Sequence, residues 1–152
     1  MTESKYIWMD GEFTPWNEAK VHVLSHTLHY GNGAIEGTKA YKTVDGRCAI
    51  FKLNEHTQRL LNSSKMTLMN VPFTLEELNK AQVELLQKNE LTNGAYIRPL
   101  VYLGYGVMGL YHKDAPVKVS ISAWEWGAYL GEEGLKKGVR VKISSFTRTP
   151  NT

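Results

Sequence analysis

Two Asp-Gly dipeptides constrain this chain most. Asp10-Gly11 lies between Tyr6-Ile7-Trp8-Met9 and Glu12-Phe13-Thr14, and Asp45-Gly46 lies between Thr38–Val44 and Arg47–Leu53. Asp-Gly tolerates positive φ at both central positions, so it forms the two-residue turn whose twist matches paired strands. Each dipeptide therefore predicts a β-hairpin and commits the chain to antiparallel pairing, with Pro15 ending the first.

Helices follow. Asn54 is placed to cap a helix over Glu55–Met66, with Leu60 and Leu61 inward and Arg59 beside them, and Pro72 closes the segment. Thr74 and Glu77 form a capping box for Leu75–Asn89, where Leu78, Ala81, Leu85 and Leu86 recur at helical spacing. Asn93-Gly94 turns the chain into a strand over Ala95–Leu103. Val117, Val119, Ile121 and Ala123 alternate with Lys118, Ser120 and Ser122, and Val139, Val141 and Ile143 alternate likewise, so Val139–Phe146 reads as a central strand. The order predicts an α+β domain with a largely antiparallel sheet and two helices. Residues 1–152 contain no linker, repeat or low-complexity tract, so no internal boundary is expected.

Hydrophobic content of 42% and charged content of 22% are globular values, and the basic residues behind a net charge of +3 are scattered, which gives no case for nucleic acid. Cys48 is the only cysteine, so no internal disulfide can form and an intracellular setting is the simpler reading. The opening MTESKYIWMDGEF holds no long apolar run, which speaks against a signal peptide or a membrane span. A cytoplasmic protein is expected.

Val21–Tyr41 concentrates the chemistry: three histidines, two tyrosines, three glycines, a glutamate and a lysine. Such a run makes poor core and good site lining. His22, His26 and His29, with Glu36 as a fourth group, could in principle ligate zinc. Gly31 and Gly33 argue against one helix carrying all three, and histidines bonded to backbone are the plainer reading. Gly104-Tyr-Gly106-Val-Met-Gly109 spells G-x-G-x-x-G after a strand. A dinucleotide site needs a helix to open at the third glycine, and Leu110–Pro116 leaves no room for one before the next strand. Gly31, Gly33 and Gly37 miss that spacing, and no P-loop or nucleophile elbow is present. Trp126 and Tyr129 bracket Gly127-Ala128 and read as loop residues facing a cavity. Arg98, inside an apolar strand, calls for an anionic partner.

Val21–Gly31, Ile35-Glu-Gly37 and Lys39-Ala-Tyr41 strongly resemble the opening of the branched-chain amino acid aminotransferases, which are fold-type-IV pyridoxal-phosphate enzymes. His56-Thr-Gln-Arg59-Leu60, Ala95-Tyr-Ile-Arg98-Pro99-Leu100, Trp126-Gly-Ala-Tyr129-Leu-Gly131 and Ser144-Ser-Phe-Thr-Arg148 extend the resemblance in order across nearly the whole chain. It implies the small, substrate-recognising N-terminal domain of an enzyme that moves an amino group between leucine, isoleucine or valine and 2-oxoglutarate. A D-amino acid aminotransferase or aminodeoxychorismate lyase is the alternative within the family. A stand-alone ligand-binding or dimerisation domain is the alternative outside it.

The resemblance assigns Arg59 to the phosphate of pyridoxal 5'-phosphate, a role suited to guanidinium geometry. It places Tyr30, Ile35, Gly37, Lys39, Trp126 and Tyr129 in the substrate pocket. Tyr96 and Arg98 resemble the pair at substrate carboxylates, with Arg98 best placed for the side-chain carboxylate of glutamate. Met108, Gly109 and Leu110 resemble a loop reaching the neighbouring subunit's pocket in a homodimer. Ile35 stands where many members have phenylalanine, and Lys39 where many bacterial ones have arginine. The Schiff-base lysine is expected beyond Pro150-Asn151-Thr152, so no catalytic residue and no metal ligand is assigned here. The chain alone is expected to be inert and to hold no covalent cofactor.

Overall fold

The computed structural model describes residues 2–126 and 131–147. Strands β1 (Tyr6–Met9) and β2 (Glu12–Pro15) form the first hairpin, with Asp10 and Gly11 both at positive φ as the turn requires. A short helix α1 (His26–Tyr30) ends at Gly31 in the left-handed region. Strands β3 (Gly33–Ile35), β4 (Thr38–Lys42) and β5 (Cys48–Ile50) follow, with β4 and β5 making the second hairpin. Then come α2 (Leu53–Met66), α3 (Leu75–Lys88), β6 (Gly94–Leu103), β7 (Val117–Trp124) and α4 (Gly131–Lys137).

The described strands all pair antiparallel, in the order β2-β1-β7-β6-β4-β5, with β3 also lying against β6. Strands β3 and β4 share one edge of β6: β3 faces Leu100–Tyr102 and β4 faces Gly94–Ile97. Pro99 falls at the gap between them. A residue's N–H and C=O point to the same side of a strand, and the Pro99 carbonyl accepts the Glu36 N–H at 3.0 Å. The donor that proline lacks is therefore missing where the flanking ladder is already interrupted, which lets a proline sit inside a central strand.

Helices α2 and α3 cover one face of the sheet. Leu60, Leu78, Leu85, Ile97, Val101, Leu103, Val119 and Ile121 are all at most 1% exposed between the layers. The capping box on α3 forms in full: the Glu77 N–H donates to Thr74 Oγ1, and the Thr74 N–H donates to the Glu77 carboxylate. Asn89, after α3, accepts the Lys5 and Tyr6 N–H groups and donates to the Tyr6 carbonyl, fastening α3 to β1.

Three expectations are corrected. The second hairpin turns more widely than a two-residue loop. The Thr43 N–H donates to the Arg47 carbonyl and the Gly46 N–H to the Thr43 carbonyl, and of the Asp45-Gly46 pair only Gly46 is at positive φ. Asn54 does not cap α2, which begins at Leu53 after Lys52 in the left-handed region. Its side chain instead accepts from Asn79 Nδ2 at 2.6 Å, joining α2 to α3. Val139–Phe146 forms no strand among the described residues, and Val139, Val141, Ile143 and Phe146 are exposed. Alternation makes a segment amphipathic, but a strand also needs a ladder partner, and this segment pairs with none of the described strands. Helices α1 and α4 and strand β3 were not expected. No helix among the described residues is long and apolar enough to cross a membrane.

Candidate functional site

Strand alternation sends Ala95, Ile97, Val101 and Leu103 toward the helices and Tyr96, Arg98, Leu100 and Tyr102 to the opposite, open face. On that open face β3 and β4 add Ile35 and Lys39, and β7 adds Trp124. Trp126 stands against Tyr96 with centroids 4.4 Å apart, edge to face, and stacks on Trp124 at 5.5 Å. Arg98 lies over the Tyr96 ring and donates from Nη2 to its hydroxyl at 2.7 Å, while its buried Nε has no hydrogen-bond partner among the described residues. The expected anion is not supplied by these residues. What stands there is a cation held by a phenol.

Gly37 is required by this packing. A Cβ there would collide with the Tyr96 hydroxyl oxygen, closer than any side-chain atom tolerates. A hollow of ≈ 320 Å³ opens beside the cluster, lined by Lys39, Ala40, Tyr41, Lys42, Asn93, Gly94, Ala95 and Trp126. The structure thus brings Ile35, Gly37, Lys39, Tyr96, Arg98 and Trp126 onto one face. Tyr129 lies outside the described residues.

A second group forms around α1. The Tyr30 hydroxyl accepts the Gly109 N–H at 3.0 Å, and His26 Nε2 donates to the Gly109 carbonyl at 2.8 Å. These two side chains hold the glycine-rich loop by one residue, leaving Met108 and Leu110 exposed on either side. No helix opens at Gly109, which sits at φ +109°. His29 Nε2 donates to the Val23 carbonyl, and His22 Nδ1 accepts the Leu24 N–H, so all three histidines bind backbone. No hydrogen bond or ring contact among the described residues joins Tyr30 or the 108–110 loop to Tyr96 or Arg98.

Arg59 belongs to a third cluster, which the sequence did not disclose. Glu36, between Ile35 and Gly37, points the other way and is 5% exposed. Its carboxylate receives Arg59 through Nε and, at 2.7 Å, through Nη2, and it accepts His56 Nδ1–H at 2.9 Å. Burial would raise the Glu36 pKa, but the hydrogen bonds from Arg59 and His56 and the guanidinium charge hold it below the usual carboxylate value. The same pairing raises Arg59. The signal available was spacing: His56 and Arg59 are three apart on a helix and share a face, but nothing local named Glu36 as their partner.

These features meet a known family. The class IV amino-transferase profile matches residues 33–152, and the chain belongs to that family. Within it, the chain is 49% identical over 142 residues to a branched-chain-amino-acid aminotransferase of Pseudomonas aeruginosa, covering 93% of this chain and 46% of that one. The crystal structure of the Escherichia coli branched-chain amino acid aminotransferase superposes with a TM-score of 0.90 at 42% identity, over 99% of this chain and 49% of that one. The branched-chain amino acid aminotransferase of T.th., complexed with N-(5'-phosphopyridoxyl)-L-glutamate, does so at 0.79 and 44% identity, over 86% of this chain and 43% of that one. The chain thus spans about half the length of the relatives it matches.

Proposed function

We propose that residues 1–152 are the substrate-recognising domain of a transaminase that exchanges an amino group between leucine, isoleucine or valine and 2-oxoglutarate. The observation that carries this reading is the open face of the sheet. A pocket serving both partners must take a branched aliphatic chain and a second carboxylate in turn. Ile35, the ring of Tyr96 and Trp126 supply apolar wall, and Arg98 supplies a cation whose buried Nε–H has no partner among the described residues, beside a phenol. Lys39, on the same face, supplies a second cation at the rim of the hollow.

Pyridoxal 5'-phosphate, when bound, supplies the electron sink that loosens the bond to the amino acid's α-hydrogen. Arg59 suits its phosphate. Its side chain is 64% exposed, and Nη1 carries no hydrogen bond among the described residues, so N–H donors remain for an anion. The chain's own residues thus bind and orient, while proton transfer falls to a lysine on polypeptide beyond residue 152. The exposure of Met108 and Leu110 on either side of the tethered Gly109 supports placing Met108, Gly109 and Leu110 at the pocket of a second subunit in a homodimer.

The test is a transamination assay with leucine and 2-oxoglutarate in the presence of pyridoxal 5'-phosphate. The chain alone is expected to give no turnover. The chain continued by the remaining half of the Pseudomonas aeruginosa relative is expected to turn over leucine. Turnover by the chain alone overturns the division of labour, and activity of the extended polypeptide on D-alanine but not leucine overturns the substrate assignment.

A further inference from the structure

Arginine on a helix surface ordinarily samples many rotamers, and holding it still costs side-chain entropy. Arg59 is exposed over most of its length, yet its head is fixed on one edge. Nε–H and one Nη2–H meet the two oxygens of Glu36 in a fork-to-fork pairing. A carboxylate only accepts, so His56 Nδ1 donates to the same oxygen as Nη2. The 3.4 Å between Nη2 and Nδ1 marks two donors converging on one acceptor. Glu36 is itself fixed, because its backbone N–H donates to the Pro99 carbonyl at 3.0 Å in the gap between β3 and β4. The guanidinium therefore turns its other edge, both Nη1 hydrogens and one on Nη2, away from Glu36.

Resting on the phosphate reading of Arg59 given above, we infer that Glu36 is a positioning residue. It takes one edge of the guanidinium so that the opposite edge is presented, already oriented, to the phosphate of a pyridoxyl cofactor. Glu36 does not touch that phosphate, and its negative charge opposes phosphate binding. Its contribution is geometry, so the decisive variant must keep the charge. Glu36→Asp does this while withdrawing the carboxylate by one methylene, which breaks the fork and leaves the local charge in place.

The experiment follows the Arg59 guanidinium by 15N NMR in the chain as it stands, without and with pyridoxamine 5'-phosphate, and with pyridoxamine as the control lacking a phosphate. In the parent chain the Arg59 Nε–H is expected to exchange with water at least about tenfold more slowly than in E36D, the size of effect one lost charge-assisted hydrogen bond allows. Pyridoxamine 5'-phosphate is expected to shift the Nη signals and to bind about tenfold more weakly to E36D. Pyridoxamine affinity is expected to be equal in both. R59K, which has no fork to be oriented, is expected to bind pyridoxamine 5'-phosphate as weakly as E36D and to gain nothing from Glu36. Equal Nε–H exchange in E36D and the parent overturns the positioning role. So does slowed exchange with unchanged phosphate affinity, provided R59K loses affinity, in which case the phosphate reading survives alone. If R59K binds as well as the parent, the phosphate reading itself falls. Should E36D fail to fold, E36Q serves for the exchange comparison, and unchanged exchange there overturns the inference equally.

Discussion

The two faces of one sheet differ more than strand alternation alone demands. Toward the helices, β6 presents Ala95, Ile97, Val101 and Leu103, each under 5% exposed and packed against aliphatic neighbours. One residue out of phase it presents Tyr96, Arg98 and Leu100, half-buried, with Trp124 and Trp126 gathered around the tyrosine. A sheet face meant only for water carries small polar or charged residues. Large aromatic rings around a buried N–H with no partner among the described residues are instead what a binding surface needs. The packed face specifies the fold, and the open face holds aromatic and basic side chains that the core does not use.

Substitutions can break this comparison or sharpen it. Ile97→Ala, on the packed face, is expected to lower stability by about 3 kcal/mol in urea unfolding, the usual consequence of an unrelaxed cavity. Gly37→Ala, on the open face, is expected to lower it by about 2 kcal/mol through overpacking against Tyr96. Tyr96→Phe in the same chain should restore part of that loss, because the hydroxyl is the closest atom. Full additivity in that double-mutant cycle would show that the two residues do not press on each other. Arg98→Leu is expected to change stability by no more than about 1 kcal/mol, and in the favourable direction, because it removes a buried donor that has no partner among the described residues. A loss as large as that of Ile97→Ala would mean that the two faces are both structural.

The smallest effect is a slope. Glu36 titrates below its ordinary value of 4.5 in the folded chain. Its stabilising contribution is therefore complete above about that pH and is lost as the pH falls through the lowered folded value. Unfolding of the parent and of E36Q between about pH 7 and pH 3 should show a steeper acid decline in the parent. Parallel curves would mean that ionisation of Glu36 adds nothing to stability.

Local chemistry made most of the fold legible. The Asp-Gly dipeptides, the capping box at Thr74 and Glu77, and the alternation over Val117–Ala123 each act within a few residues, and each yields the hairpin, helix start or strand read from it. The second turn differs only in width, because Asp45 uses its carboxylate to accept from Thr43 and Arg47 across a broader loop. Asn54 misled because it can serve either as a cap or as a bridge, and the partner that decided it, Asn79, lies a helix away. Val139–Phe146 misled because alternation encodes a strand's two sides and says nothing of its neighbour. In the site, alternation tells that Tyr96 and Arg98 share a face. It does not tell that Trp126 folds back onto Tyr96, or that Glu36 reaches across to α2. Tertiary partners of that kind are set by topology, which no window of the sequence contains.

Ile35, Glu36 and Gly37 are consecutive, and they serve opposite sides of the layer: the outer two face the aromatic cluster and the middle one faces α2. A deletion or insertion of a single residue between Gly33 and Thr38 would invert that order, burying isoleucine against the guanidinium and turning a carboxylate toward the tryptophans. The length of this segment is accordingly as strict a requirement as its composition. Homologues that vary freely at Ile35 should still count the same number of residues from β3 to β4.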